Sequence, residues 1–282
     1  MYILATLLLL TSMAYFRLTR LQPQILPKAF RSEPQERVLI VTAHPDDECM
    51  FFAPTILALT RAGIEVHVLC LSRGNHDGLG EIRAKELQAS CTTLGIRPEH
   101  CQALEDPQLQ DHPTDLWTPQ AVAAAVYAYL APRSLTKIIT FDGYGVSGHV
   151  NHISVSFGVG HLTESDPAAN PSPSPPLVYT LTSVPLVRKY TSVIDTLFTF
   201  PLRALNPSSP ILDVLDRAYF VSDLTSWHTA RQAMQQHKSQ MVWFRWIYIA
   251  ISRYMVLNDL VLLDQQRQVV SEETGEVQQS SD

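Results

Sequence analysis

His44, Asp46, Asp47 and Glu48 fall within the stretch Ala43-His44-Pro45-Asp46-Asp47-Glu48, directly after the apolar run "RVLIVTA". Carboxylates move protons, and an imidazole beside a carboxylate can hold a divalent metal. A second stretch, "GYGVSGHVNHIS", supplies His149 and His152, three residues apart. Together the two segments carry the donor stock of a catalytic zinc: His and carboxylate ligands from separate parts of the chain, with a position left for water. Each pattern alone is weak. His-x-x-Asp is commonly a cap or a surface pair, and His-x-x-His is more often structural than metal-binding.

If the backbone turns helically after Pro45, His44 and Asp47 point the same way. Asp46 then projects elsewhere and is free to handle a proton. The spacing by itself leaves the roles of the two aspartates interchangeable. A dinucleotide site would need G-x-G-x-x-G after the first strand; acids stand there instead and would repel a pyrophosphate.

The elements that must position these groups follow from the patterning. "RVLIVTA" and "EVHVLCLS" are short, continuous and β-branched, as buried strands are. "TKIITFD" and "PLVYTLTSV" are a third and a fourth strand. "PTILALTRAG" has helical spacing and stops at Gly63. "LGEIRAKELQASCTTLGI" is an amphipathic helix with Ile82, Leu87, Cys91 and Leu94 near one face and Gly95 at its end. "TPQAVAAAVYAYLA" is another, with Thr118 as N-cap and Pro119 at the first helical position. Strands alternating with helices predict an α/β fold: a Rossmann-like parallel sheet with helices on both faces. In such sheets ligands bind beyond the carboxyl ends of the strands, where both polar segments lie.

The 282 residues, 46% of them hydrophobic, suffice for one large domain, expected over 37–264. The net charge of −6 argues against a nucleic-acid binder. Cys49, Cys70, Cys91 and Cys101 form no CxxC pair and no disulfide framework, which argues against a zinc ribbon and fits a reducing compartment. Residues 1–16, "MYILATLLLLTSMAYF", carry no charge, and Arg17, Arg20, Lys28 and Arg31 follow in the linker 17–36. This predicts an uncleaved single-pass transmembrane anchor, with the following domain on the cytosolic side. The competing reading is a signal peptide and an exported domain. Residues 164–176 are Pro/Ser-rich and read as a flexible loop. Residues 241–263, apolar and aromatic but interrupted by Arg245, Arg253 and Asp259, read as a helix that either covers the core or lies in the membrane interface. The tail 265–282 is expected to be disordered.

"AHPDDE" followed by "GVSGHVNH" resembles the LmbE-like zinc de-N-acetylases. Within them, "LSRGN", "RAKELQASCTTLGI", "TFDGYGVSGHVNH" and "LVRKYTSVIDTL" are similar to the branch of GPI-anchor biosynthesis that acts on N-acetylglucosaminyl-phosphatidylinositol at the endoplasmic reticulum membrane. The similarity runs from about Arg37 to Phe200. It implies that His44, Asp47 and His152 bind Zn2+, that Asp46 is the general base, and that His149 stands beside the scissile amide, stabilising the oxyanion or protonating the leaving amine. Bacterial relatives often have His-Pro-Asp-His where this chain has His149-Val150-Asn151-His152, so no role passes to an intervening Asp. Arg83 resembles the family's sugar-binding arginine, with a helix-face pair to Glu86 as the plain alternative. Arg73, at a strand end, is a candidate for the anionic phosphodiester. Asp142 either bonds sugar hydroxyls or orders its loop. Glu48 either caps the following helix or, preferably, orients His44. A de-N-acetylase of a soluble N-acetylglucosamine conjugate and an inactive membrane scaffold are the competing functions; the intact set His44, Asp46, Asp47, His149 and His152 speaks against the scaffold.

Overall fold

Strand β1 (Arg37–Thr42) is buried along nearly its whole length, as its continuous apolar run requires. It pairs in parallel with β2 (Glu65–Cys70) on one side and β4 (Lys137–Phe141) on the other. In the computed structural model, which describes residues 11, 15, 16, 19, 26–31, 36–164, 176–200 and 217–263, seven strands form one sheet. Its order is β3-β2-β1-β4-β5-β7-β6, with β3 at Cys101–Ala103, β5 at Leu177–Leu181, β6 at Arg217–Val221 and β7 at Leu257–Leu262. The helices that cover the sheet or bear on the site are α1 (Asp47–Phe51), α2 (Ala53–Arg61), α3 (Gly80–Thr93), α4 (Pro119–Leu130), α5 (Val150–Glu164), α6 (Leu224–Met234) and α7 (Trp243–Ile251), with shorter ones at Gly145–Gly148, Leu186–Lys189 and Asp195–Thr199.

The sheet is mixed, which corrects the expected all-parallel one. β1 to β5 are parallel, but β7 runs antiparallel to β5, and β6 antiparallel to β7. The segment 241–263 is accordingly not one helix. It breaks at Ser252 into α7, a turn of 3-10 helix and β7. The polar residues that interrupt its apolar run each find a partner elsewhere. Arg253, fully buried, donates to Asp195, and Arg217 donates to Asp259 at 2.8 Å. Asn258 donates to the Phe51 carbonyl at 2.7 Å and accepts from the Thr55 hydroxyl at 2.7 Å. These bonds fix β7 against α1 and α2, a long-range pairing that local periodicity does not carry.

Several local expectations hold. The Thr118 side chain accepts from the Ala121 N–H at 3.3 Å and caps α4. Gly63 and Gly95 take positive φ after α2 and α3. All four cysteines are free and buried. On α3, Leu87, Cys91 and Leu94 are buried, but Ile82 is half exposed. It lies in the first turn beside the exposed Glu81, outside the packed stretch. α4 and α5 pack closely because Gly158 has no side chain: a Cβ there would stand 2.2 Å from that of Val122.

Among the described residues no helix is long and apolar enough to cross a membrane. The anchor expected at 1–16, the loop expected at 164–176 and the tail expected at 265–282 fall almost wholly outside the described residues. From β1 the chain builds β2 and β3 to one side and then crosses to β4 on the other, so the strand order reverses at β1. The crevice this opens at their carboxyl ends is where a doubly wound sheet binds its ligand.

Candidate active site

The loop leaving β1 folds back on itself through Asp47. Its Oδ2 accepts the N–H groups of Ala43 (3.0 Å) and His44 (2.8 Å). This puts the His44 ring, with Nδ1 3.8 Å from Asp47 Oδ2, on the same side of the loop. Asp47 Oδ1 faces the other way and lies 3.2 Å from Nε2 of His152. Burial opposes charge on Asp47, but His152 and His44 outweigh it and hold the carboxyl well below the usual range.

His152 comes from the loop after β4. That loop doubles back at Gly145, whose φ of +66° suits only glycine, and a Cβ there would meet the Cβ of His152 at 2.7 Å. The close approach brings the Gly145 carbonyl to 3.1 Å from His152 Nδ1. A carbonyl only accepts, so Nδ1 carries a proton and Nε2 is the ring atom turned to the site. The ring is stacked on Phe141, with centroids 4.2 Å apart and planes 3° from parallel, which fixes its direction.

Nε2 of His152 and Oδ1 of Asp47 thus face each other at 3.2 Å across the site, two atoms that could both ligate one ion. The ring nitrogens of His44, His149 and His152 lie within 4.8 Å of one another. Nitrogen and oxygen ligands around a tetrahedral zinc stand about 3.3 Å apart for bonds of about 2.0–2.1 Å. The donor set therefore fits a divalent metal. The buried His44 Nε2 lies 3.3 Å from Asp111 Oδ1. Burial works against a charged His44, yet Asp111 and Asp47 outweigh it and raise its pKa, the mark of a pocket that favours positive charge.

Asp46 points away from Asp47, as a helical turn after Pro45 predicts. It is a non-glycine residue at φ 114°, a strained backbone held on both sides. Its N–H donates to Glu48 Oε2 at 3.0 Å, and its carbonyl accepts from the Met50 N–H at 2.9 Å. Its carboxylate accepts from Arg245 Nη2 at 2.6 Å. Burial, offset only in part by Arg245 and reinforced by Asp47, pushes Asp46 up to about 6.

His149 sits edge-on to His44, with ring centroids 4.7 Å apart. Its Nδ1 accepts the Asn151 N–H at 3.3 Å, which leaves the proton on Nε2. Burial and the neighbouring His44 and His152 lower its pKa to about 4, so the imidazole is neutral at physiological pH.

Glu48 does not orient His44. It is fully buried and accepts from His237 Nε2 (2.8 Å), from the Ser90 hydroxyl and from the Asp46 N–H. It buttresses the strained turn at Asp46 instead. Asp142 orders its loop: it accepts from the N–H groups of Tyr144 (3.2 Å) and Gly145 (3.1 Å) and from the Ser183 N–H and hydroxyl (both 2.6 Å). Those four bonds occupy its carboxylate, so the alternative of holding a sugar is not the one the geometry favours.

Arg73 is tied to Glu81 and Glu105, so the cation expected for a phosphodiester is already neutralised by two carboxylates. Arg83 donates to the Gly74 carbonyl (2.6 Å) and Asp77 (2.9 Å), and its Nη1 is 3.9 Å from Asp111. Glu86 is not its partner; it accepts from the N–H and hydroxyl of Ser239. Asp111, His237, Gln240 and Arg245 all touch the site or its loop, Gln240 through a 2.9 Å bond to the Pro45 carbonyl. None stands in a recognisable motif, and only folding brings them there.

The profile of the family described as PIG-L, GlcNAc-PI de-N-acetylase, matches residues 39–163. The chain is 39% identical over 227 residues to the N-acetylglucosaminyl-phosphatidylinositol de-N-acetylase of Bos taurus, covering 80% of this chain and 83% of the relative. It is 40% identical to a probable enzyme of the same name from Schizosaccharomyces pombe, covering 80% and 86%. Among solved structures, N,N'-diacetylchitobiose deacetylase from Pyrococcus horikoshii shares the fold at a TM-score of 0.56 and 16% identity, over 89% of this chain and 91% of that one.

Proposed function

This chain belongs to the GlcNAc-PI de-N-acetylase family, and on that premise we propose that its buried His/Asp cluster is the active site. It is a deacetylase that hydrolyses the N-acetyl group of N-acetylglucosaminyl-phosphatidylinositol, releasing acetate and glucosaminyl-phosphatidylinositol, an early step in GPI-anchor biosynthesis. The observation that carries the site assignment is the convergence of His152 Nε2 and Asp47 Oδ1, 3.2 Å apart, beside the ring of His44.

An amide is a poor electrophile and water a poor nucleophile at neutral pH. His44, Asp47 and His152 are the residues that would hold the metal, and the N/O donor set suits Zn2+. When bound, zinc supplies a Lewis acid for the carbonyl and acidifies water. Asp46 takes the proton from the attacking water; a carboxyl near 6 lies close enough to neutrality to accept it and pass it on. His149 donates from Nε2–H to the oxygen as negative charge develops there. The neutral form that its burial favours can still stabilise an oxyanion, so of its two expected roles this is the one supported. Glu48 and His237 hold the Asp46 turn, and Asp111 orients His44. Arg83, beside Asp111, is the cation at hand for the polar part of the substrate.

We place the chain in the endoplasmic reticulum membrane with its catalytic domain toward the cytosol. The charge-free residues 1–16 and the basic residues after them support this. Purified protein incubated with zinc and N-acetylglucosaminyl-phosphatidylinositol should release acetate in proportion to bound metal. Release that is independent of the metal, with the metal removed by a chelator, would exclude the site assignment.

A further inference from the structure

Helix α7 is inside out for a surface helix of a globular protein. Such a helix normally turns its apolar stripe to the core and its charges to water. Here Tyr248 and Ile249 face the core, and the only charged residue, Arg245, reaches inward to Asp46. The outward face is Trp243 (74% exposed), Phe244 (52%), Trp246 (46%) and Ile247 (47%), with no acid in the helix. A contiguous face of this kind marks a binding surface rather than scattered exposure.

Its position says what it binds. α7 roofs the catalytic loop through three contacts: Arg245 to Asp46, Gln240 just before the helix to the Pro45 carbonyl, and the Tyr248 hydroxyl to the Met50 carbonyl at 2.9 Å. Further exposed apolar residues, Tyr144, Leu186 and Val187, belong to the strand-end loops that build the His149 side of the site. The two groups share one end of the sheet. Basic groups flank the helix: the Arg231 guanidinium lies 5.9 Å from the Trp246 ring centre, and Lys238 is exposed just ahead of it. Exposed tryptophans backed by basic residues, without polar groups to match a protein partner, have the chemistry of a bilayer interface.

We propose that α7 docks on the bilayer surface through Trp243, Phe244, Trp246 and Ile247, and so holds the catalytic crevice against the membrane. This rests on the reading of the substrate as a glycolipid. A lipid-linked sugar keeps its acyl chains in the bilayer, so the crevice must come to the membrane surface to reach it. The face is far in sequence from the anchor expected at 1–16 and would orient the domain in addition to any tether there.

The chain has four tryptophans, Trp117, Trp227, Trp243 and Trp246, and none lies in residues 1–16. Tryptophan emission therefore carries no contribution from residues 1–16, and the part of it lost with Trp243 and Trp246 reports on α7. The full chain is reconstituted in phosphatidylcholine vesicles with brominated or unlabelled acyl chains, and its emission compared. Wild type should be quenched by the brominated lipid. The double variant W243F/W246F, which keeps the apolar face, the buried Trp117 and the part-buried Trp227, should lose most of that quenching. Quenching is read without turnover, so it stands apart from whether acetate is released. Equal emission in both vesicle types, or quenching that persists in the double variant, overturns the bilayer as the occupant and leaves the face to a protein partner.

Discussion

Arg245 of α7 holds the carboxylate of Asp46 at 2.6 Å, across 199 residues of sequence. The guanidinium partly offsets the burial that raises Asp46, so it keeps the carboxyl near 6 rather than higher. Replacing it with glutamine, R245Q, removes that offset, and the pKa of Asp46 should rise further. Because the base must be unprotonated to act, the acidic limb of the kcat/KM profile should move to higher pH. An acidic limb that stays in place or moves down would exclude this role for Arg245.

Asp46 and Asp47 are adjacent yet hold different positions, one facing Arg245 and the other His152. Asp46→Asn should retain metal and lose about 10²–10⁴-fold in deacetylation rate, the usual contribution of a general base. Asp47→Asn should lose metal first and activity as a consequence. Zinc content measured beside turnover in both variants separates the two; the reverse pattern would exchange the roles.

Gly145 allows its own carbonyl to reach His152 Nδ1 at a positive φ. Gly145→Ala places a Cβ 2.7 Å from that of His152 in a backbone conformation that favours glycine, and so displaces the ring. Metal content should fall, and the thermal midpoint with it, because Gly145 is buried and the adjacent Val146 belongs to the core. Full zinc occupancy in this variant would show that the Gly145–His152 bond does not set the ligand.

Asp195 and Arg253 are both fully buried, and Asp195 also accepts from Arg188 at 2.7 Å. Removing the carboxylate strands a buried guanidinium, so Asp195→Ala should cost about 3–5 kcal/mol in denaturant unfolding. Burial opposes charge on Asp195, but Arg188 and Arg253 prevail and hold its folded pKa below the ordinary value. The contribution is therefore complete above the unfolded pKa of about 3.9 and is lost as the pH falls through the folded one. Unfolding free energies measured between pH 6 and strongly acid conditions should decline less steeply in Asp195→Ala than in wild type.

The charge-free residues 1–16 and the basic residues after them predict a cytosol-facing domain on a membrane anchor. Deleting residues 1–20 should weaken membrane association and leave the α/β domain folded by circular dichroism. Protease added to sealed microsomes should digest the domain. Protection would reverse the orientation.

What the sequence determined by itself is everything coded locally. Strands β1, β2, β4 and β5 are legible as short apolar runs, the α4 cap as Thr118-Pro119, and the histidines and aspartates as two motifs that both follow strands. The deacetylase chemistry is expected from those motifs together with the family they resemble, not from their spacing alone. The tertiary structure alone decided which groups meet. His237 lies 189 residues from Glu48 and Arg245 lies 199 from Asp46, and no period or spacing links them. Glu48 therefore looks like a partner of His44 until folding brings His237 and Ser90 to it. The mixed sheet belongs to the same class. An apolar run such as 241–263 is consistent with a helix or a strand, and the choice rests on Asn258, Asp259 and Arg253, whose polar groups must be satisfied by partners far away in sequence.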